Sequence, residues 1–369
     1  MRCLVHGSFM NDNYGDYLIF QITMNILKKY SNGRNIKFVV DNVDKSYIKY
    51  TNVDVVNIWL EIFRCNCAIM TGGGYYGEPN KILYKYFWNL RFLLVHAIPF
   101  CILALRSCPY IIVGLGVGPL SWKFSRCVAR LILRNAKKIV VRDEESREYI
   151  YNVLNVSNNV EVYPDLVMGK EFDSFLTEKE WAKEQLYKNN RKNIAIHYTT
   201  KYVAANGIAI AFCDIKKFLD EHKDEYNVFF ILDQDNVVQE KRAINLLEKL
   251  GVGFNARIIS YPGPYKLTSF LSFMDIIITD KLHVGIVGTR LNKVVISTAG
   301  HQKIRRFYKQ IGRSNFMKDL HFIKAGWLYN LLHDIPNQKD ISDYIILSST
   351  QENIIKGFIE MQNEGEIKF

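Results

Sequence analysis

Most side chains in this sequence that could hold an anion or move a proton stand just after short apolar runs. The segment Asp280-Lys281-Leu282-His283 follows the run Asp275–Thr279 and leads into the small-residue stretch Val284-Gly285-Ile286-Val287-Gly288. A lysine and an imidazole at a helix amino terminus combine fixed charge, the positive end of the helix dipole and a titratable proton, which suits an anionic ligand. Further on, His301-Gln302-Lys303 opens a second cationic helix start that also carries Arg305 and Arg306. Arg142 follows the run Lys138–Val141, where its fork of donors can grip a carboxylate or phosphate, or can simply pair with Asp143 or Glu145. Asp165, after Pro164, can orient Arg142 or bind an acceptor. His197, at the end of Asn193–His197, is a weaker candidate.

Glycines mark the remaining strand exits. The loop Asn11-Asp12-Asn13-Tyr14-Gly15-Asp16 precedes a helical run, and unpaired first-turn amides make such a start an anion site. Asp16 is expected there either as the N-cap or as a proton acceptor for a sugar hydroxyl. Thr71-Gly72-Gly73-Gly74-Tyr75 permits close backbone approach of a ligand or forms a packing turn. Gly114-Leu115-Gly116-Val117-Gly118-Pro119 superficially resembles a dinucleotide fingerprint. The spacing is wrong, Pro119 removes an amide, and no acid for a ribose follows at the required distance, so no nicotinamide cofactor is expected. Seven scattered cysteines are expected as free thiols; Cys65 and Cys67 have no second pair to complete a zinc set, so no metal is expected.

Stepping outward to the elements, apolar runs alternate with amphipathic stretches, which is the α/β pattern of parallel sheets covered by helices. Strands at Cys3–His6, Lys37–Val40, Ala68–Met70, Tyr110–Gly114, Lys138–Val141 and Val160–Tyr163, with helices near Asp16–Tyr30, Leu83–Leu105, Ser125–Asn135 and Glu145–Leu154, place a Rossmann-like domain in residues 1–169. A polar connection is expected over 170–192. Strands at Asn193–His197, Asn227–Leu232, Ala256–Ser260, Asp275–Thr279 and Val294–Ser297, with intervening helices, place a second such domain in 193–312, and residues 313–369 form helices that pack back, near Phe322–His333 and Ile341–Met361. The two domains are expected to face across a cleft at the carboxyl ends of their sheets.

At 369 residues with 49% hydrophobic and 23% charged side chains, the chain has ample material for two cores. Lys and Arg exceed Asp and Glu by 48 to 37, which implies an anionic partner. The basic residues are dispersed rather than gathered in a stripe with stacking aromatics, so nucleic acid is excluded as that partner. The segment Tyr86–Pro109 is the most hydrophobic, but Arg91, His96, Pro99 and Arg106 interrupt it, which argues for an interfacial helix over a membrane span. The amino terminus lacks the apolar stretch of a secretion signal, and the expected location is the cytoplasm, in peripheral contact with the inner face of an acidic membrane.

Taken in order, Asn13–Asp16, Gly72–Gly74, Gly114–Pro119, Val141–Ser146, Tyr163–Leu166, Asp280–His283 and His301–Ile304 resemble the motifs of the polysaccharide pyruvyl transferase family. The family usually has Ser-x-Arg-Leu-His where this chain has Thr279, Lys281, Leu282 and His283; lysine keeps the charge but loses the bidentate fork. The resemblance implies a fold similar to the B-type glycosyltransferases, no cofactor beyond phosphoenolpyruvate as co-substrate, and a pyruvate ketal formed on two hydroxyls of a polysaccharide or lipid-linked sugar. It implies His283, Asp16 and Arg142 as catalytic residues, with Asn13, Gly15, Gly73, Gly74, Gly116, Asp165, Lys281, Leu282, His301 and Lys303 binding substrate. Arg142, Lys281 and Lys303 would form the cradle for the donor's carboxylate and phosphate. Specificity for the acceptor would lie in Tyr75–Tyr86 and Thr199–Asn206. Two other functions fit the same composition: a glycosyltransferase using a nucleotide sugar, disfavoured by the lack of a clear acidic pair for a ribose, and a non-catalytic membrane-surface scaffold. Neither the acceptor sugar nor the oligomeric state is legible.

Overall fold

A computed structural model describes residues 1–9, 13–31, 36–41, 43, 53–78, 82–198, 205–251, 253–298 and 301–363. The chain forms two units. The first takes the described residues of 1–12, 16–171 and 344–369, and the second those of 13–15 and 172–343.

The first unit is built on a seven-stranded parallel sheet in the order β3-β2-β1-β4-β5-β6-β7, from β1 (Arg2–His6), β2 (Lys37–Asp41), β3 (Asp54–Val56), β4 (Cys67–Tyr76), β5 (Tyr110–Val117), β6 (Lys138–Val141) and β7 (Val160–Val162). Strand order reverses between β1 and β4, where Leu4 lies between Val39 and Ala68. Helices α1 (Tyr14–Ser31), α2 (Ile58–Glu61), α3 (Ile82–Arg91), α4 (Ile98–Leu105), α5 (Lys123–Asn135) and α6 (Glu144–Asn152) connect the strands. All eight residues of β5 are buried because helices cover both faces, and this is why its sequence is continuously apolar instead of alternating.

Two departures from the expected elements have physical causes. Strand β4 runs on through Gly72–Gly74 to Tyr76, so the glycines lie inside a strand and not in a turn after it. The helix expected as one piece near Leu83–Leu105 contains a π-helical stretch, Phe92–Ala97, between α3 and α4; Ile98 N–H reaches back to Leu93 O. Pro99 explains the change, since it has no N–H to give the carbonyl four residues earlier.

The second unit repeats the plan with five parallel strands in the order β10-β9-β8-β11-β12: β8 (Lys192–His197), β9 (Tyr226–Ile231), β10 (Asn255–Ile259), β11 (Ile276–Thr279) and β12 (Val294–Ser297). Its helices are α7 (Lys179–Glu184), α8 (Ala205–Glu221), α9 (Val237–Leu250), α10 (Pro264–Leu271), α11 (Leu282–Arg290), α12 (Gln302–Gln310) and α13 (Trp327–His333). The segment expected as a connection, 170–192, is folded: Phe172 and Phe175 are buried, Phe175 stacks on Tyr265 at 5.0 Å, and Glu178 N–H donates to Ser269 Oγ at 3.0 Å.

The tail also divides. Asp214 of α8 accepts the N–H groups of Gly326 at 2.8 Å, Leu328 at 3.0 Å and Tyr329 at 3.5 Å, fixing the start of α13 to the second unit. The last helix, α14 (Ser342–Asn363), instead joins the first unit, where Ser348 Oγ donates to Asp165 O at 2.8 Å and Gln351 Nε2 to Pro164 O at 2.7 Å. Asp214 is only 6% exposed, so removing its carboxylate leaves helix-start amides without an acceptor. Asp214→Ala is expected to lower the unfolding free energy of the second unit by roughly 2–3 kcal/mol, read as a lower urea midpoint with unchanged slope.

Candidate active site

In the second unit, α1 starts at Tyr14, and Asn13 Oδ1 accepts the Gly15 N–H at 3.0 Å. Asn13 is therefore the helix cap; Asp16, for which the capping role was one expectation, stands inside the first turn. Gly15 has a different task. A Cβ built on it would lie 1.8 Å from His283 Nδ1, so the imidazole occupies the space that any other residue would fill. Tyr14 is fully buried beside them and shares a 2.6 Å hydrogen bond with Thr268 Oγ1.

Leu282 and His283 are the first two residues of α11 and are buried, at 4% and 6% exposure. The helix can lie this close to its sheet because Gly288 faces Ile277 and Val295, whose methyl carbons would be 2.7 and 2.8 Å from an added Cβ. Lys281 immediately precedes it. Its Nζ lies 2.6 Å from Asp233 Oδ2, and His197 Nε2 lies 3.2 Å from Asp233 Oδ1. The other His197 nitrogen is 3.1 Å from Thr279 Oγ1, which also accepts the Lys281 N–H at 3.0 Å, and 3.8 Å from Asp280 Oδ1. This network gathers the carboxyl ends of β8, β9 and β11, where the strand order reverses and open α/β sheets bind ligands. Burial alone would push the Asp233 carboxyl up, but Lys281 and His197 hold it well below the ordinary carboxylate range.

The first unit holds a second cluster. The Arg142 guanidinium, 7% exposed, lies over two glycines: an added Cβ would be 2.9 Å from its Nε at Gly116 and 3.4 Å from Nη2 at Gly74. Two carboxylates face it, Asp165 Oδ2 at 3.5 Å from Nη1 and Asp143 Oδ2 at 3.9 Å from Nε. Asp143 also caps α6 through Ser146 N–H and Oγ, and Asp165 accepts Val167 N–H. At Gly73 the backbone is in the left-handed region, φ +133°, and the space over it is filled by the Tyr75 ring. The glycines thus seat the protein's own side chains. Arg142 and Lys281, expected to carry part of the unmatched positive charge, are matched by carboxylates.

A buried chain that the residue-type search passed over lies at the reversal between β1 and β4. His6 Nδ1 meets both Asp41 oxygens, at 2.8 and 2.9 Å, and His6 Nε2 meets His96 Nδ1 at 2.9 Å. Tyr75 stacks on His96 with ring centroids 4.3 Å apart and donates its hydroxyl to Thr71 O. Burial, with help from His6, holds His96 well below the usual imidazole range; burial, then Asp41 and Asp16, pushes the Tyr75 phenol up. Asp233 was also missed, although Leu232-Asp233 follows a strand like the other candidates.

Not every expected residue joins a cluster. His301 is exposed and caps α12, accepting the Lys303 N–H at 3.4 Å. Of the specificity segments, residues 79–81 and 199–204 lie outside the described residues, as do Asn11 and Asp12. Cys65 and Cys67 are buried thiols, and among the described residues no group of His, Cys, Asp and Glu is arranged to hold a metal ion.

Two parallel sheets, each with its order reversed beside its first strand, define a pair of Rossmann-like units of the kind seen in GT-B-type sugar-modifying enzymes. Similar solved structures include a UDP-GlcNAc 2-epimerase from Neisseria meningitidis bound to UDP-GlcNAc (14% identity, TM-score 0.62, 98% of this chain and 100% of that one). The UDP-GlcNAc 2-epimerase of Methanocaldococcus jannaschii (12%, 0.66, 98% and 100%) and a glycosyltransferase from Rickettsia africae (11%, 0.56, 98% and 94%) share the fold as well. The family model for polysaccharide pyruvyl transferase matches residues 13–302, and the chain belongs to that family. No curated protein sequence matches it.

The Asp233 network has a testable energetic signature. Lys281→Met strands a buried carboxylate and is expected to cost roughly 2–4 kcal/mol, short of a fully buried pair because the Lys281 side chain stays 22% exposed; Lys281→Met with Asp233→Asn should recover most of it. Since the folded Asp233 titrates below its model value of 3.8, its contribution is complete above that value and is lost as pH falls below it. Urea midpoints of wild type and Asp233→Asn should therefore converge on acidification.

Proposed function

We propose that the chain transfers the enolpyruvyl unit of phosphoenolpyruvate to a sugar and closes it as a cyclic ketal, with release of phosphate. The observation that carries this is the seating of His283 against Gly15: two motifs from opposite ends of the family match meet at one helix start, and one supplies a buried titratable imidazole. The second unit is the donor side. There His283 protonates the methylene carbon of the enol, which gives C2 oxocarbenium character. One sugar hydroxyl attacks C2, its proton passing to a carboxylate, Asp16 or Asp165. Cleavage of the C2–O bond releases phosphate, and the second hydroxyl closes the ring.

Lys281, Leu282, His301 and Lys303 serve the donor at two helix starts, α11 and α12. Because Lys281 already faces Asp233, a donor anion recruited there exchanges with a carboxylate and does not meet a bare charge. Arg142, with Asn13, Gly15, Gly73, Gly74 and Gly116 holding the backbone around the working side chains, completes the set. The acceptor is a polysaccharide unit, free or lipid-linked.

Phosphate release from phosphoenolpyruvate across a panel of sugar acceptors tests the reaction. His283→Ala should lower turnover by about 10²–10⁴-fold; near wild-type turnover would remove His283 from its role. Gly15→Ala must displace the imidazole, so it should lower turnover and add little further loss to His283→Ala, the signature of one shared function. A thermal shift with a nucleoside diphosphate and none with phosphoenolpyruvate would instead support a nucleotide-sugar glycosyltransferase.

A further inference from the structure

The Lys and Arg residues are spread through the chain, but the Asp and Glu residues are not. Between Glu78 and Asp143 there is no acidic residue and there are eleven Lys and Arg, which leaves the rest of the chain balanced at 37 to 37. The whole net charge of +11 thus originates in this one segment of the first unit. It folds as α3, the π-helical turn, α4, β5, α5 and β6.

The same segment carries an exposed apolar stripe. Along the helix that runs through α3 and α4, Phe87 is 62% exposed, Leu90 41%, Leu94 46% and Leu105 76%, at helical spacing. The opposite side, with Phe92, Leu93, Ala97, Phe100 and Leu103, is buried in the core. By length and composition Lys85–Leu105 could cross a membrane, but crossing would strip that buried side from its sheet. A helix fixed on one face and apolar on the other fits a membrane interface lengthwise.

Helix α5 lies alongside, packed on α4 and on the π-helical turn. Tyr86, 57% exposed, meets Trp122 at the start of α5 with ring centroids 5.1 Å apart. The outer side of α5 carries Lys123, Arg126, Arg130 and Arg134 together with exposed Phe124, and the helix has no acid. Arg130 and Arg134 donate to the carbonyls of Leu154 and Asn155, and Arg106 to that of Ile62; these bonds orient the guanidinium groups without cancelling their charge. Trp and Tyr at the junction of an apolar stripe and a cationic helix match the interfacial zone of a bilayer.

We propose that this face of the first unit, the exposed stripe of α3 and α4 with the cationic side of α5, docks on a membrane rich in anionic phospholipid. Apolar and cationic groups act together: the stripe enters the headgroup boundary while α5 meets lipid phosphates. A soluble polyanion would use the cations and leave the stripe in water. The inference concerns where the first unit sits and stands independently of the reaction proposed above.

Flotation of the full chain with vesicles tests it. At low salt the protein should float with phosphatidylcholine vesicles containing about a third phosphatidylglycerol and stay unbound with phosphatidylcholine alone, and it should dissociate as salt shortens the screening length from ~10 Å toward ~3 Å. Two exposed-surface variants, Lys123→Glu/Arg126→Glu/Arg134→Glu and Phe87→Ser/Leu90→Ser/Leu94→Ser, should each weaken the partition at least about tenfold while retaining the wild-type thermal transition. Failure of the wild type to float with the acidic vesicles overturns the proposal. Loss in the charge variant alone would identify a soluble polyanion as the occupant. An oligomer of the wild type that the serine variant dissociates, with flotation unchanged, would assign the stripe to a second copy of the chain.

Discussion

Each side chain with chemical potential in this protein rests on backbone that has no Cβ. The His283 imidazole takes the side-chain space of Gly15, the Arg142 guanidinium covers Gly116 and Gly74, and the Tyr75 ring folds over Gly73. Interiors packed to crystal density have no slack to absorb a methyl group at such points. The glycines of the motifs are therefore seats for the protein's own machinery, whereas their runs alone suggested room for a ligand. The same steric logic brings α11 down onto β11 and β12 through Gly288, which in turn sets the depth at which His283 is held.

A second regularity is electrostatic. The cations expected to greet an anionic donor are already engaged: Lys281 by Asp233, and Arg142 by Asp165 and Asp143. Buried charge is tolerated only when matched, and these clusters obey that rule. The chain's net positive charge belongs instead to the acid-free segment between Glu78 and Asp143, away from the matched pairs of the second unit.

The α/β class and most strand positions were legible because strands buried on both faces leave continuous apolar runs that no loop resembles. Strand exits were legible too, and with them Arg142, Lys281 and His283. What escaped was of two kinds. Strand β3 has three residues and an exposed Val55, too short and too wet to give a pattern. Asp233, and the chain Asp41-His6-His96, draw their meaning from partners far away in sequence; a lone acid or histidine at a strand end carries no local mark of what it will meet. The start of α13 was placed too early because Gly326, in a left-handed conformation, and Asp214 from another helix set the boundary.

The π-helical turn at Phe92–Ala97 places His96 against His6 while Phe92 and Phe100 both remain in the core. A bond that spans five residues instead of four takes up extra chain with no loop. This stretch is consequently where the fold can absorb a change of length: losing one residue here returns the turn to α geometry with both flanks on their original faces. The same loss elsewhere in α3 or α4 would swing everything beyond it by about 100° around the helix axis and turn the apolar stripe inward.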